Sequence, residues 1–273
     1  MFNFNSIDLK AHHVKDLPIK QEMHAHSMHE LNYYISGKGS INIEGTNYTM
    51  LPRCIILLQA GEAHRPEFHS GYPSERVVCH FSPSVLETLD PTHILEKCIS
   101  HRPLGYKNQY STDILNNNLI HSCMWALMAD DFNTLEEAHQ RLLILSCLHM
   151  TLCELRRCFE FPEFKAAQVA DSIVNKAIIY INEHLTEDFN LDVLSEICYI
   201  EKSYLNNRFK RVTGSTIWEF IIVKRLLLAQ KYIRSGMKTT EAAIKCGWND
   251  YSSFYRRYKL QFGISPRAEK KSC

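Results

Sequence analysis

The sequence predicts a two-domain chain: an all-β N-terminal barrel with trailing helices, then an all-α C-terminal domain holding two helix-turn-helix motifs. Three observations carry this. Up to about residue 81, short apolar stretches alternate with period two between Gly and Asn turns, and from about residue 83 the period becomes helical. Beyond residue 170 a pattern of short helix, break and second helix occurs twice. Charge divides along the same line. Residues 1–168 carry 14 Lys and Arg against 19 Asp and Glu, whereas residues 169–273 carry 17 against 11, so the net +1 conceals an acidic front and a basic tail. A length of 273 residues suits two cores. We place the domains at 1–165 and 166–273.

In the first domain "LNYYIS" sets Leu31, Tyr33 and Ile35 against Asn32, Tyr34 and Ser36. Gly37-Lys38-Gly39 punctuates, "INI" resumes, Glu44-Gly45-Thr46-Asn47 turns, and "YTM", "CIILLQ" and "RVVCHF" read as further strands of a small antiparallel barrel or sandwich. The clearest helix runs from Thr134 to Phe159. Thr134-x-x-Glu137 reads as a capping box, and Ile144, Leu148, Leu152, Leu155 and Phe159 form an apolar stripe. That stripe either packs on the barrel or dimerises. Pro162 ends the helix and marks the domain boundary.

In the second domain Ile173, Ala177, Ile181 and Leu185 recur at four-residue steps. "NLDVLSEICYIEKSYLNNRFKRVTG" reads as a short helix capped by Asn190, a break near Tyr199 and a second helix to Val212. A longer helix follows, with Thr216-x-x-Glu219 as its capping box and Gly236 as its stop. "TTEAAIKCGWNDYSSFYRRYKLQFG" then repeats the unit, with Ser252 standing where Ser203 stood.

Composition excludes several classes. Hydrophobic residues at 45% and charged ones at 22% describe a globular protein. No window holds about 18 uncharged apolar residues, so no membrane span is expected. The start "MFNFNSIDLKAHHVKD" lacks the basic and apolar regions of a signal peptide, and we expect a cytoplasmic protein. The ten cysteines include no Cys-x-x-Cys pair and read as reduced, packed thiols. Cys147, His149, Cys153 and Cys158 point to different faces of one helix and make a poor thiolate cluster.

Each second helix of the repeated units carries side chains suited to a DNA groove. The first offers Ser203, Tyr204, Asn206, Asn207, Arg208, Lys210 and Arg211; the second offers Ser252, Ser253, Tyr255, Arg256, Arg257 and Lys259. Asn and Arg can pair two hydrogen bonds to adenine and guanine edges, while the remaining cations hold phosphates. Leu205, Phe209, Phe254 and Tyr258 read as core. A solvated basic face would explain the charge, but not why the arrangement occurs twice.

"YLNNRFKRVTG", "RLLLAQKYI" and "GWNDYSSFYRRYKLQFGISP" resemble the DNA-binding domain of AraC-type (AraC/XylS) transcriptional regulators, over about residues 172–268 and including Gly263-Ile264-Ser265-Pro266. The resemblance implies recognition helices in successive major grooves, with Arg256 at the family's second-helix arginine. Asn207 stands where a base-reading arginine is frequent, with Arg208 one step on, and Glu201 stands where a capping serine is frequent.

The front of the chain is similar to the cupin-type effector domain that many such regulators carry. His24-x-His26, then Glu30 and Gly37, fits the first motif of metal-binding cupins. Gly61-x-x-His64 fits part of the second, with Gln59 in place of its proline and Phe68 in place of its asparagine. His24 and His26, two apart on a strand, should face one way, and Glu30 and His64 could complete a three-nitrogen, one-oxygen set. A ligand pocket with the same convergent polar groups needs no metal, and this is the reading adopted. The effector-binding candidates are then His24, His26, Glu30, Tyr33 and His64. No metal or other cofactor is expected, and the same four His and Glu residues are the candidates should one bind. His29 should point away, and the other histidines read as surface or core.

The resemblance implies a ligand-responsive, dimeric transcription regulator and not an enzyme. Its partners would be double-stranded DNA, a small-molecule effector such as a carbohydrate, a second copy of the chain and RNA polymerase. The alternatives are a metal-sensing regulator, or a metal-dependent cupin enzyme fused to a DNA-binding tail.

Overall fold

The computed structural model describes residues 1–16, 22–69, 73–161, 169–188 and 190–272. Eight strands come first: β1 (Asn3–Asn5), β2 (Leu9–Asp16), β3 (His29–Ser36), β4 (Gly39–Ile43), β5 (Thr46–Met50), β6 (Ile55–Leu58), β7 (His64–Phe68) and β8 (Ser74–Phe81). Helices α1 (Pro83–Leu89) and α2 (Glu96–Ile99), strand β9 (Gln109–Tyr110), and helices α3 (Asn117–Leu127) and α4 (Glu137–Phe159) complete the first domain.

With β10 (Val169–Ala170), the strands form two antiparallel sheets, in the orders β1-β2-β8-β3-β6-β9 and β10-β5-β4-β7. β10 lies four residues into the segment assigned to the second domain, yet it pairs with β5, Ala170 opposite Thr46. The expected boundary at 165/166 and the expected helix stop at Pro162 lie outside the described residues.

Alternation along β3 decides what faces what. Leu31 and Tyr33 join a core with Val77 and Cys79 of β8 and with Ile144, Leu148, Leu152 and Leu155 of α4. Glu30, Asn32 and Tyr34 point to the other face of the sheet, toward the space between the two sheets. The α4 stripe is therefore internal core, with Phe159 packed at its edge. Of the two expectations for it, packing is the one observed, because the six-stranded sheet presents the apolar face of Leu31, Tyr33, Val77 and Cys79 to it. The capping box at Thr134 does not form. Thr134 ends a 3-10 turn and donates to the Asp131 carbonyl, and α4 begins at Glu137 after an uncapped Glu136.

The second domain comprises α5 (Ser172–Glu183), α6 (Leu191–Cys198), α7 (Lys202–Thr213), α8 (Ile217–Arg234), α9 (Thr239–Lys245), α10 (Tyr251–Phe262) and α11 (Pro266–Ser272). Local chemistry sets its boundaries. Asn190 caps α6 through the Asp192 and Val193 amides, and Tyr199, left-handed at φ 56°, breaks the chain before α7. Thr216 and Glu219 form the expected reciprocal box on α8, and Asp250 caps α10. Units α6–α7 and α9–α10 are the two helix-turn-helix motifs. The first packs in a core containing Leu205, Phe209 and Phe220, the second in one containing Phe254 and Tyr258, and α8 contributes to both.

Candidate functional site

The basic module offers two presenting surfaces. On α10, Ser252, Tyr255, Arg256, Arg257 and Lys259 are exposed and Ser253 is half-buried, while Phe254 and Tyr258 anchor the opposite face. On α7, Ser203, Tyr204, Asn207, Lys210 and Arg211 are exposed, but two candidates are engaged within the chain. The Asn206 side-chain oxygen accepts from the Ile217 amide at 3.2 Å, tying α7 to the start of α8. Arg208 donates through Nε to Asp171 at 2.8 Å and through Nη1 to the Tyr204 hydroxyl at 3.1 Å. Asp171 is the N-cap of α5; burial would raise its acid, but Arg208 and the capped amides outweigh this and lower it. Asn207 thus faces outward where Arg208 folds back. Glu201 precedes α7 without making a side-chain cap, in keeping with its departure from the usual serine.

The second site is a cavity of about 240 Å³ between the sheets of the first domain. Strand β3 supplies Glu30, Asn32 and Tyr34, β2 supplies His12, β7 supplies His64, and β8 supplies Arg76 and His80. His24 enters from a short strap, residues 22–28, whose backbone pairs with β7: the His24 amide donates to the His64 carbonyl and the His64 amide donates back. Val14, Ile41, Pro66, Phe68 and Val78 make the apolar remainder.

Glu30 is the centre of the polar end. Its Oε2 lies 2.6 Å from His26 Nε2, 3.2 Å from His80 Nε2 and 3.6 Å from His64 Nε2, while Asn32 donates to Oε1 at 2.7 Å. Burial would raise the Glu30 acid, but the bonds from His26 and His80 prevail and hold it well below the carboxylate range. Burial likewise opposes charge on His26, and the Glu30 carboxylate overcomes it, lifting that imidazole. At His64 burial outweighs the pull of the same carboxylate and pushes the ring down to about 3. His26, Glu30 and His80 place ligand atoms close enough together to share a metal ion.

Four of the five expected effector-site residues converge here and one does not. Tyr33 lies in the core on the far face of β3, because its neighbour Tyr34 has the inward parity. The chain between Ala25 and Met28 is not a strand, and His24 and His26 do not face one way: both rings lie against His64, at 4.3 and 5.2 Å, but only His24 lines the cavity, while His26 also opens to a second pocket beside Ser27, Gln230 and Arg234. His29 turns away as expected; its Nδ1 accepts from the Ala60 amide at 3.0 Å and its ring packs on Phe81. The reading of the remaining histidines as surface or core is corrected at His12 and His80, both of which line the cavity. The signal for His80 lay in "RVVCHF", where Arg76, Val78 and His80 share one parity, but only the β3–β8 register puts His80 opposite Glu30.

The strap also touches the other module. Met23, Ala25 and Ala63 belong to the apolar core of the first helix-turn-helix unit, together with Val174, Ile178 and Ile221, while the interleaved His24 and His64 line the cavity and His26 bonds to Glu30. Glu44, in the β4–β5 turn at φ 47°, accepts from the Ala63 amide at 2.6 Å, Lys224 of α8 at 2.6 Å and Asn182 of α5 at 3.2 Å. Arg234 of α8 donates to Ser27 at 2.7 Å.

Two family models match the chain: an AraC-like ligand binding domain over residues 19–152 and a helix-turn-helix domain over residues 194–272. The probable transcriptional regulator LumQ of Photobacterium leiognathi is 24% identical over 256 residues, 93% of each chain. The transcriptional activator RhaS of Escherichia fergusonii is 23% identical over 247 residues, covering 89% of this chain and 85% of that protein. The regulatory protein SoxS of Escherichia coli K12 is 30% identical over 95 residues, covering 34% of this chain and 89% of that protein. Among the described residues no helix is long and apolar enough to cross a membrane.

Proposed function

Because the chain belongs to the AraC family of transcriptional regulators, with a ligand-binding and a helix-turn-helix DNA-binding domain, we propose that a small effector in the barrel cavity controls how the two recognition helices are presented to DNA. The observation that carries this is the double allegiance of the strap. His24 lines the cavity and His26 bonds to Glu30 at its polar end, while Ala25 between them is buried in the core of the first helix-turn-helix unit. An occupant that shifts the two imidazoles therefore moves a residue packed into the core of the DNA-binding module. Thermodynamically, the effector must bind the two arrangements of that module with different affinity.

The relatives of full length are regulators, which supports a role in binding and not in turnover. The His, Glu, Asn and Arg side chains of a cavity this small favour a polar effector rich in hydroxyl or carboxylate groups, a monosaccharide among them. On DNA the protein acts as a homodimer that meets RNA polymerase. Trp125 on α3 and Leu142 on α4, respectively 65% and 64% exposed, support a contact between copies on that outer helical layer in place of the buried stripe. The test is operator binding by the full chain across a panel of candidate effectors, with Ala25→Leu beside the wild type. The wild type should change affinity with one effector, and Ala25→Leu should bind that effector without the change. If no effector of any class alters operator affinity, the regulatory reading of the cavity fails.

A further inference from the structure

We propose that Cys123 on α3 and Cys147 on α4 form a peroxide-reactive dithiol, a modification site at which a hydroperoxide is reduced and the two helices become joined by a disulfide. The pair belongs to the core between the six-stranded sheet and the helices, and is separate from the barrel cavity on the other face of that sheet.

The two residues are far apart in sequence, and helix packing brings them together. α3 and α4 share one apolar core, in which Cys123 and Cys147 are 9% and 6% exposed. Cys147 Sγ donates to the Cys123 carbonyl at 3.3 Å, so its sulfur sits against the residue it would join. The two thiols are also in hydrogen-bond contact with each other. Burial does not seal the pair. Ser122 on α3 and Ser146 on α4, the adjoining residues, are exposed, so a molecule as small as a hydroperoxide has a short path to the sulfurs.

Buried thiols ordinarily stay protonated and inert. Cys79 on β8, in the same core, follows that rule, and burial pushes it up to about 12. Cys123 does not. The hydrogen bond from Cys147 outweighs burial there and brings the thiol down to about 7, while the same bond, together with burial, raises Cys147. Cys123 is therefore the nucleophile and Cys147 the resolving thiol. The Cys123 thiolate attacks one oxygen of the peroxide. The O–O bond breaks, an S–O bond forms, and the departing oxygen takes the Cys147 proton to leave as water or an alcohol. The Cys147 thiolate then attacks the Cys123 sulfenic acid. An S–S bond forms as the S–O bond breaks, and the hydroxide takes a proton from solvent to leave as water. The two thiols supply the two electrons that reduce the O–O bond. The product closes a loop from residue 123 to residue 147 and fixes α3 on α4, the helices that carry exposed Trp125 and Leu142.

The experiment exposes the full chain to hydrogen peroxide and, separately, to tert-butyl hydroperoxide. All ten cysteines are followed by alkylation and peptide mass spectrometry. Cys123 should react about tenfold faster than the exposed Cys153, whose thiol burial raises above its ordinary value. The product should be a linked pair of peptides holding Cys123 and Cys147. The melting temperature should rise on oxidation and return with dithiothreitol. Cys147→Ser should stop at a sulfenic acid on Cys123 that dimedone traps, and Cys123→Ser should leave Cys147 reduced. Cys153 reacting first, a Cys123 that stays reduced, or Cys147 linked instead to Cys79 overturns the proposal. Should either serine variant fail to fold, the identity of the linked pair in the wild type decides the matter by itself.

Discussion

Lys224 Nζ lies 2.6 Å from Glu44 Oε1, joining the helix shared by both helix-turn-helix units to a turn of the barrel. Both side chains are buried, at 7% and 0% exposure, and Lys224 also donates to the Gly61 carbonyl at 2.9 Å. The two modules thus meet through a satisfied charge pair, not through apolar surface alone.

Removing one member leaves a buried charge without its partner. Lys224→Met or Glu44→Gln alone should each cost about 3–5 kcal/mol. The double variant should lose clearly less than the sum, measured as a double-mutant cycle by denaturant unfolding. Strict additivity would mean that the pair contributes nothing as a pair.

On DNA, Arg256→Ala should cost about 1–3 kcal/mol on the operator and relax preference at one base position. Lys210→Ala should weaken operator and random sequence alike and reduce the salt slope by about one. Equal loss on both kinds of DNA for both variants would remove the distinction between base reading and phosphate holding.

Asn206→Ala should behave differently from its neighbour Asn207→Ala. Asn206 bonds to the first amide of α8, so its loss should lower stability by about 1 kcal/mol, as for a helix cap. Asn207 is exposed, and its loss should affect DNA binding and leave the melting temperature in place. Paired thermal melts and binding isotherms check this.

Asp171 supplies the pH dependence. Arg208 and the capped amides hold its folded acid below the usual aspartate value, so the folded state binds fewer protons than the unfolded chain. Its contribution is fully present above about pH 4 and is lost as pH falls through the lower, folded value. Asp171→Asn should therefore be less stable than the wild type at neutral pH and approach it in strong acid. Asp171→Asn should also free Arg208, observable as stronger nonspecific DNA binding at low salt.

In the cavity, His26→Ala or His64→Ala should abolish the effector's influence while the effector-free protein still binds its operator. Loss of operator binding without effector would show that these histidines hold the DNA-binding module itself in shape.

The sequence by itself determined what is local. Asn190, Thr216 with Glu219, and Asp250 cap their helices by bonds spanning two or three residues, so the helix-turn-helix units could be read directly. His24, His26 and Glu30 lie within seven residues, and their spacing was enough to mark a site. Tertiary structure decided what depends on register and on competition between partners. Tyr33 is the candidate that the sequence suggests, but the sheet's choice of apolar face sends it to the core with Leu31 and sends Tyr34, which shares the parity of Glu30, to the cavity. His80 stands 50 residues from Glu30 and becomes its neighbour through one strand pairing. Arg208 looks like a base-reading side chain until Asp171, 37 residues earlier, draws it back. Thr134 had the spacing of a capping box, but the chain entering α4 turns too early for it. In each case the residue types were visible, whereas the outcome rested on which distant group was closest, and a pattern of near neighbours holds no record of that.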